Sequence, residues 1–256
     1  MAATAAEGLL PGPEIIERAG LEAWPGIEVE WDGQWVRRAA NGYTKRANSV
    51  QSLDRGDDAN AEARISAAAS WFEDRGLTPV FRVTPLAGPA TVRALDEAGW
   101  DSVDHSFLVA MPLGEVEPDP RARLFNPLDM VFIGAQRRLQ GYSDATVDKL
   151  RALLRVMTVP AKGVVVFSGD GEPVASGLMA IADGIVITGN VVTLPGHRRQ
   201  GYAAAMMRTG LSWAREAGAT IAALNVAAEN TPARALYAGL GYRRQYDYRY
   251  RVPARR

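Results

Sequence analysis

The chain contains no cysteine and only two histidines, His105 and His197. Disulfides, thiolate metal sites and a cysteine nucleophile are therefore excluded, and such a composition suits a reducing compartment, so cytoplasmic residence is expected. Two histidines cannot build a histidine metal centre, and no His-Glu-x-x-His occurs, so no metal is expected. Nothing approaches the ~20 consecutive apolar residues of a membrane span, and no membrane partner is expected. Residues Met1 to Gly12 lack Lys, Arg and any sustained apolar run, unlike a signal peptide, and read as a frayed leader. Both familiar nucleotide fingerprints, Gly-x-x-x-x-Gly-Lys-Ser/Thr and Gly-x-Gly-x-x-Gly, are absent, which argues against a P-loop or Rossmann enzyme.

Net charge is missing as well, but only in the sum. Residues 1–120 hold 10 Lys and Arg against 20 Asp and Glu, whereas residues 121–256 hold 19 against 9, giving −10 and +10. The halves are expected to do different work or to dock on each other. No aromatic-plus-basic RNA motif accompanies the basic half, so nucleic acid is not an expected partner. With 256 residues, 47% hydrophobic and 23% charged, the chain can bury the core of one large domain or two small ones.

The most informative stretch is Asn190-Val191-Val192-Thr193-Leu194-Pro195-Gly196-His197-Arg198-Arg199-Gln200-Gly201-Tyr202-Ala203-Ala204. An apolar strand breaks at Pro-Gly and re-enters a helix predicted to run from Tyr202 to Ala217, before Gly218. A strand-to-helix turn of this kind leaves backbone N–H groups unpaired at the positive end of a helix dipole, which suits a phosphate. Taken alone, the glycine serves equally well as an ordinary turn residue.

The segment Arg198-Arg199-Gln200-Gly201-Tyr202-Ala203 meets the pattern Gln/Arg-x-x-Gly-x-Gly/Ala, and in it the chain resembles the acyl-CoA pyrophosphate loop of the GCN5-related N-acetyltransferases. Downstream, Leu224 to Tyr242 is similar to the next strand and helix of that family, so the resemblance covers roughly residues 160 to 252. It implies an α/β (α+β) fold with a mixed sheet and flanking helices, acetyl-CoA as acyl donor, and direct transfer to a primary amine. It further implies that Arg198, Arg199, Gln200, Gly201, Tyr202, Ala203 and Ala204 hold the pyrophosphate, and that the backbone of Val191, Val192 and Thr193 holds the pantetheine arm. An ordinary buried strand explains those three side chains as well. The family's Ala-x-x-Leu-Tyr motif is matched by Ala233 to Tyr237, which implies that Tyr237 contacts the coenzyme and protonates the departing thiolate; a phenol of pKa about 10 suits that task. By pattern alone Tyr237 is equally a half-buried helix aromatic. Asn225 and Asn230 correspond to coenzyme contacts, although Asn230-Thr231-Pro232 also reads as a helix N-cap.

A general base is not evident. The strand Ile185 to Thr193 has no carboxylate where many relatives carry Glu, leaving a water chain, Glu229, Asp183 or Asp247 open. His197 is expected to face solvent. Tyr246, Tyr248 and Tyr250 alternate at strand period and give the last element one aromatic face, for packing or for an acceptor pocket.

The first half carries a similar order of elements: a helix from Pro13, a hairpin around Asp32-Gly33, a helix from Ala61 to Glu73, a strand from Pro79, a helix from Pro89 and a strand from Ser106. An offset of 142 carries Asn48 to Asn190, Val50 to Val192, Trp71 to Trp213, Gly76 to Gly218, Thr78 to Thr220 and Gly99-Trp100 to Gly241-Tyr242, which argues for duplication. At the anion turn the first copy has Gly56-Asp57-Asp58-Ala59, whose carboxylates would repel a pyrophosphate. The expected organisation is two tandem domains: residues 1–113 a degenerate copy, 114–124 a linker, and 125–256 the acyl-CoA-binding domain. Such a chain is expected to act as a monomer that mimics a dimer. Readings from other classes are a non-catalytic acyl-CoA sensor and a protein-interaction scaffold.

Overall fold

The computed structural model describes residues 10–254; the expected leader falls largely outside them. The first half runs through helix α1 (Pro13–Ala23), hairpin strands β1 (Glu28–Asp32) and β2 (Trp35–Ala39), β3 (Val50–Ser52), helix α2 (Ala61–Glu73), β4 (Phe81–Val83), helix α3 (Pro89–Glu97) and β5 (Trp100–Pro112). The second runs through β6 (Ala122–Phe125), α4 (Met130–Gln140), α5 (Asp144–Arg155), the meander β7 (Ala161–Phe167), β8 (Pro173–Ala182) and β9 (Ile185–Thr193), then α6 (Tyr202–Glu216), β10 (Ile221–Ala227), α7 (Thr231–Gly239) and β11 (Arg243–Pro253). Local chemistry sets several of these ends. Proline opens α1 and α3, where its fixed φ and missing N–H cost nothing. The Ser143 side chain caps α5 by accepting from the Thr146 amide. Gly141, with φ +69°, ends α4 in the left-handed conformation.

All eleven strands lie in one sheet, ordered β1-β2-β3-β4-β11-β5-β10-β9-β8-β7-β6. The halves exchange their last strands. β5 lies antiparallel to β10, from Ser106 opposite Ala227 to Pro112 opposite Ile221, while β11 pairs with β4 through Tyr250 opposite Arg82. β5 and β11 also pair with each other at the centre. Helices α3 and α7 span residues exactly one 142-residue offset apart, and α2 displaced by that offset falls within α6.

The second half buries two faces of the sheet. On one, Leu224 and Val226 of β10 pack with Met206, Met207 and Leu211 of α6 and with Tyr237. On the other, Ile16 and Ala19 of α1 cover Ala180, Ile187 and Ala223, while Phe132 and Leu150 from α4 and α5 cover Val165 and Leu178. Gly177 belongs to the close approach of α6: a Cβ there would stand 2.7 Å from the Met206 sulfur.

The feature that positions the site is a split in this sheet. β9 and β10 run parallel from Ile185 beside Ile221 to Thr188 beside Leu224, and the pairing then stops. Beyond that point β9 stays with β8 and β10 stays with β5. Asn190, at φ +52°, and a register shift between Ser176 and Leu178 mark a bulge where β9 turns away. The side chain of Gln136, wholly buried, donates to the Asn190 carbonyl at 3.0 Å and holds the bulge in place.

Candidate active site

The turn after β9 opens α6 without a side-chain cap. Gly201 is the N-cap, in the left-handed region at φ +79°, and Arg199 also has positive φ, at +63°. Among the described residues, the amides of Arg199, Gln200, Gly201, Tyr202, Ala203 and Ala204 donate to no protein acceptor; the first to be paired is that of Ala205, to the Gly201 carbonyl at 2.9 Å. Six free donors at the positive end of a 15-residue helix are suited to an anion. Arg198, Arg199, Gln200 and Gly201 are exposed, as access for a charged ligand requires. His197 is half-buried rather than facing solvent, with its ring 6.0 Å from that of Tyr202, because the 3-10 turn at Pro195–His197 folds it back onto the helix.

A residue not anticipated from the sequence joins this turn. Arg121 stands over the Tyr202 ring at 5.1 Å, and its Nη2 lies 3.9 Å from where a Gly201 Cβ would be. Asp119, only 5% exposed, positions it by two hydrogen bonds of 2.9 Å and also pairs with Arg208 of α6. The Arg121 hydrogen bonds, with Arg208 behind them, hold the Asp119 carboxyl well below the usual carboxylate range. The Asp119 amide donates in turn to the Thr209 hydroxyl at 2.9 Å, so residues expected to be a plain linker pack along α6 and bring a cation to the anion turn. No local pattern around Asp119 signals this; the contacts span 89 and 90 positions.

Val191, Val192 and Thr193 lie along the split, where the edge of β9 that would face β10 has no strand partner. Val191 packs toward the α6 core and Val192 toward the α4 core, leaving the backbone between them as the surface offered to the gap. Tyr237 is buried in the α6 face, edge-on to Tyr242 at 5.9 Å between ring centres. Its hydroxyl has no hydrogen-bond partner among the described residues, and burial pushes its pKa up to about 12. Tyr237 therefore keeps its proton throughout the physiological range. Asn230 caps α7, accepting from the Ala233 amide at 3.2 Å, with Pro232 in the first turn.

Asn225 is not brought to the same side. It points to the α1 face of the sheet, where its Oδ1 accepts from Arg82 at 3.0 Å. Of the carboxylates considered as a base, Asp183 lies in the turn before β9, at the opposite end of that strand from the split. Glu229 is exposed beyond the end of β10. Asp247 is hydrogen-bonded to His105 at 2.8 Å and paired with Arg244; burial raises its pKa, but these two partners outweigh it and leave the carboxyl lowered. No side chain is assigned the role of base. Among the described residues no cluster of three or more His, Asp or Glu could hold a metal ion, and no helix is long and apolar enough to cross a membrane.

Comparison with known proteins bears on the fold and the family. A Bacillus subtilis (strain 168) protein, the uncharacterized N-acetyltransferase YobR, is 26% identical over 245 residues, covering 93% of this chain and 97% of that protein. Among solved structures, a GCN5-related N-acetyltransferase from Kribbella flavida shares the fold with a TM-score of 0.71 and 21% identity, over 95% of this chain and 96% of that one. A tandem GNAT protein from the clavulanic acid biosynthesis pathway superposes with a TM-score of 0.61 at 13% identity, over 81% and 76% of the two chains. The family described as "Probable histone acetyltransferase Rv0428c C-terminal" matches residues 14–251. The chain thus belongs to that family and is an acetyltransferase of the GCN5-related type.

Proposed function

We propose that the protein transfers an acetyl group from acetyl-CoA directly to a primary amine within a ternary complex, and that residues 125–256 carry the coenzyme site. Bound acetyl-CoA supplies the acyl group as an activated thioester. The observation that carries this reading is the run of six unpaired amides from Arg199 to Ala204, placed directly after the split between β9 and β10. Those amides, with Arg198, Arg199 and Arg121 nearby, compensate the phosphates. The free edge from Val191 to Thr193 aligns the pantetheine arm, and Asn230 contributes from the mouth of α7. Asn225, on the other face, contributes only where the gap between the strands lets the acyl end reach it.

Tyr237 holds a proton on a hydroxyl that no protein group occupies, and donates it to the departing sulfur. No covalent enzyme intermediate is needed, since the amine attacks the thioester directly. Residues 1–113 are read as a degenerate copy joined through residues 114–124, a reading supported by the matching helix positions and by the tandem arrangement of one structural relative. The exchanged strands β5 and β11 make the chain an internal pseudo-dimer, for which we propose a monomeric, cytoplasmic enzyme.

The test is mass-spectrometric detection of acetylated products, with free CoA measured in parallel, across a panel of primary amines. Stoichiometric acetyl-amine and CoA support the reading. Acetyl-CoA binding without transfer to any amine would point to a non-catalytic acyl-CoA sensor instead.

A further inference from the structure

Three arginines of the first half meet beneath the split. Arg38, Arg46 and Arg82 line one small cavity with Glu17, Ile187 and Asn225. Ile187 and Asn225 immediately adjoin the last parallel pair, Thr188 beside Leu224, so the cavity abuts the place where β9 and β10 part, on the face covered by α1.

The charges in this cavity do not balance. Glu17 is its one lining carboxylate, and its oxygens are already taken by Arg82, by Gln51 Nε2 at 2.8 Å and by the Tyr246 hydroxyl at 2.7 Å. Arg38 donates only to carbonyls, those of Trp24 at 2.9 Å and of Arg46. The Arg46 guanidinium lies over the Trp24 ring at 5.0 Å and meets no acceptor among the described residues. Its Nη2 stands 3.0 Å from where a Gly189 Cβ would be, at the start of the split. The Nε atoms of Arg38 and Arg82 are buried and donate to nothing, in side chains of residues only 2% and 3% exposed. Three guanidiniums against one carboxylate leave two without a counter-charge, Arg38 buried and Arg46 partly exposed, an arrangement that an anion would complete. Burial, with the charge of Arg82, pushes Arg38 down to about 9.

The size and place of the cavity narrow the anion. Its free volume is about 10 Å³, room for one oxygen-sized group rather than a phosphate. The remainder of the ligand must lie outside the cavity. We propose that the acceptor amine carries a carboxylate, as an amino acid does, and that Arg46, with Arg38 and Arg82 behind it, binds this carboxylate while the amine faces the gap between β9 and β10. This rests on the acetyltransferase reading above and specifies its acceptor class. A lysine-rich polypeptide carries the same sign as the cluster and is disfavoured.

The test uses the full chain and calorimetric titration with N-acetyl amino acids, which represent the product, each paired with its own carboxamide. Acetyl-CoA is titrated into the same preparations. At least one acid should bind about tenfold or more tightly than its amide. Arg46→Gln should erase that ratio and Arg46→Lys should keep part of it, with acetyl-CoA affinity within about twofold of wild type in both. Normal acetyl-CoA binding with no acid preferred over its amide would overturn the carboxylate site and leave the acetyltransferase reading intact. Failure of wild type to bind acetyl-CoA would overturn that reading, and the acceptor assignment with it. An acid preference that survives Arg46→Gln unchanged would overturn the role given to Arg46.

Discussion

Two turns in this chain open a helix from a left-handed N-cap with no side-chain cap, and the two are finished in opposite ways. Before α2 the N-cap is Asn60 at φ +56°, and before α6 it is Gly201 at φ +79°. In the first turn the side chains are acidic and mostly take donors brought in from the β1–β2 hairpin, α2 and α3, while the amides from Asp58 to Ala63 donate to no protein acceptor among the described residues. Asp54 accepts from the Gly56 amide at 2.8 Å, Asp57 takes the Gln34 amide at 2.6 Å and pairs with Arg64 at 2.9 Å, and Asp58 takes the Ala90 amide at the start of α3 at 2.8 Å. In the second turn six amides are likewise free, but the nearby side chains are basic. The same backbone plan thus carries carboxylates that repel an incoming anion in one copy and cations that attract it in the other, and a handful of residues decides which. The position proposed as catalytic differs in the same sense. One offset back from Tyr237 stands Leu95, wholly buried and without a proton to give.

The largest effect that sharpens this contrast is expected at Tyr237. Tyr237→Phe should lower kcat by about 100-fold or more while leaving acetyl-CoA affinity nearly unchanged, because in the proposed role the hydroxyl acts on the leaving group and it makes no hydrogen bond among the described residues. Steady-state kinetics beside calorimetry separates the two; an unchanged kcat would assign Tyr237 to packing alone.

A smaller effect is expected from the first turn. Asp57→Ala strips Arg64 and the Gln34 amide of a partner and should cost about 2 kcal/mol in urea unfolding, without creating a second coenzyme site. A neutral outcome would mean that the aspartates are incidental to that turn.

A third effect concerns alkaline pH. The Tyr237 phenol is raised in the fold to about 12, above the ordinary value of about 10. Its contribution is therefore fully present below pH ~10 and is lost as pH rises through the folded value. Wild type should lose stability relative to Tyr237→Phe between pH ~10 and ~12, and kcat should show no falling limb due to Tyr237 below pH ~10. Parallel pH titrations of unfolding for the two proteins check both the direction and the window.

What was legible in the sequence was local. Helix α2 begins and ends where Ala61 and Glu73 suggest, Pro89 starts α3, and Asn230 caps α7, since caps and prolines act within one turn of chain. The turn from Pro195 to Ala204 was legible for the same reason. The exchange of β5 and β11 was not, because strand periodicity says which face is buried and nothing about which strand lies alongside. Nor was the arginine cavity: Glu17, Arg38, Arg46 and Arg82 share no period and meet only through the exchanged sheet, in which Tyr248 of β11 lies under Arg82 at 4.0 Å. The aromatic face of Tyr246, Tyr248 and Tyr250 was visible as a pattern, yet its use against Glu17 and Arg82 required the fold. The short β6 and the docking of Asp119 on α6 were hidden in a stretch whose prolines and acids read only as a connection.

The central claim is that one turn of the two holds the coenzyme, and calorimetric titration of acetyl-CoA into wild type and Gly201→Glu tests it most directly. The account predicts one site per chain, weakened about 100-fold in the variant, where a bulky carboxylate must occupy φ +79° among the free amides. Two sites per chain, or one site untouched by the substitution, would contradict it.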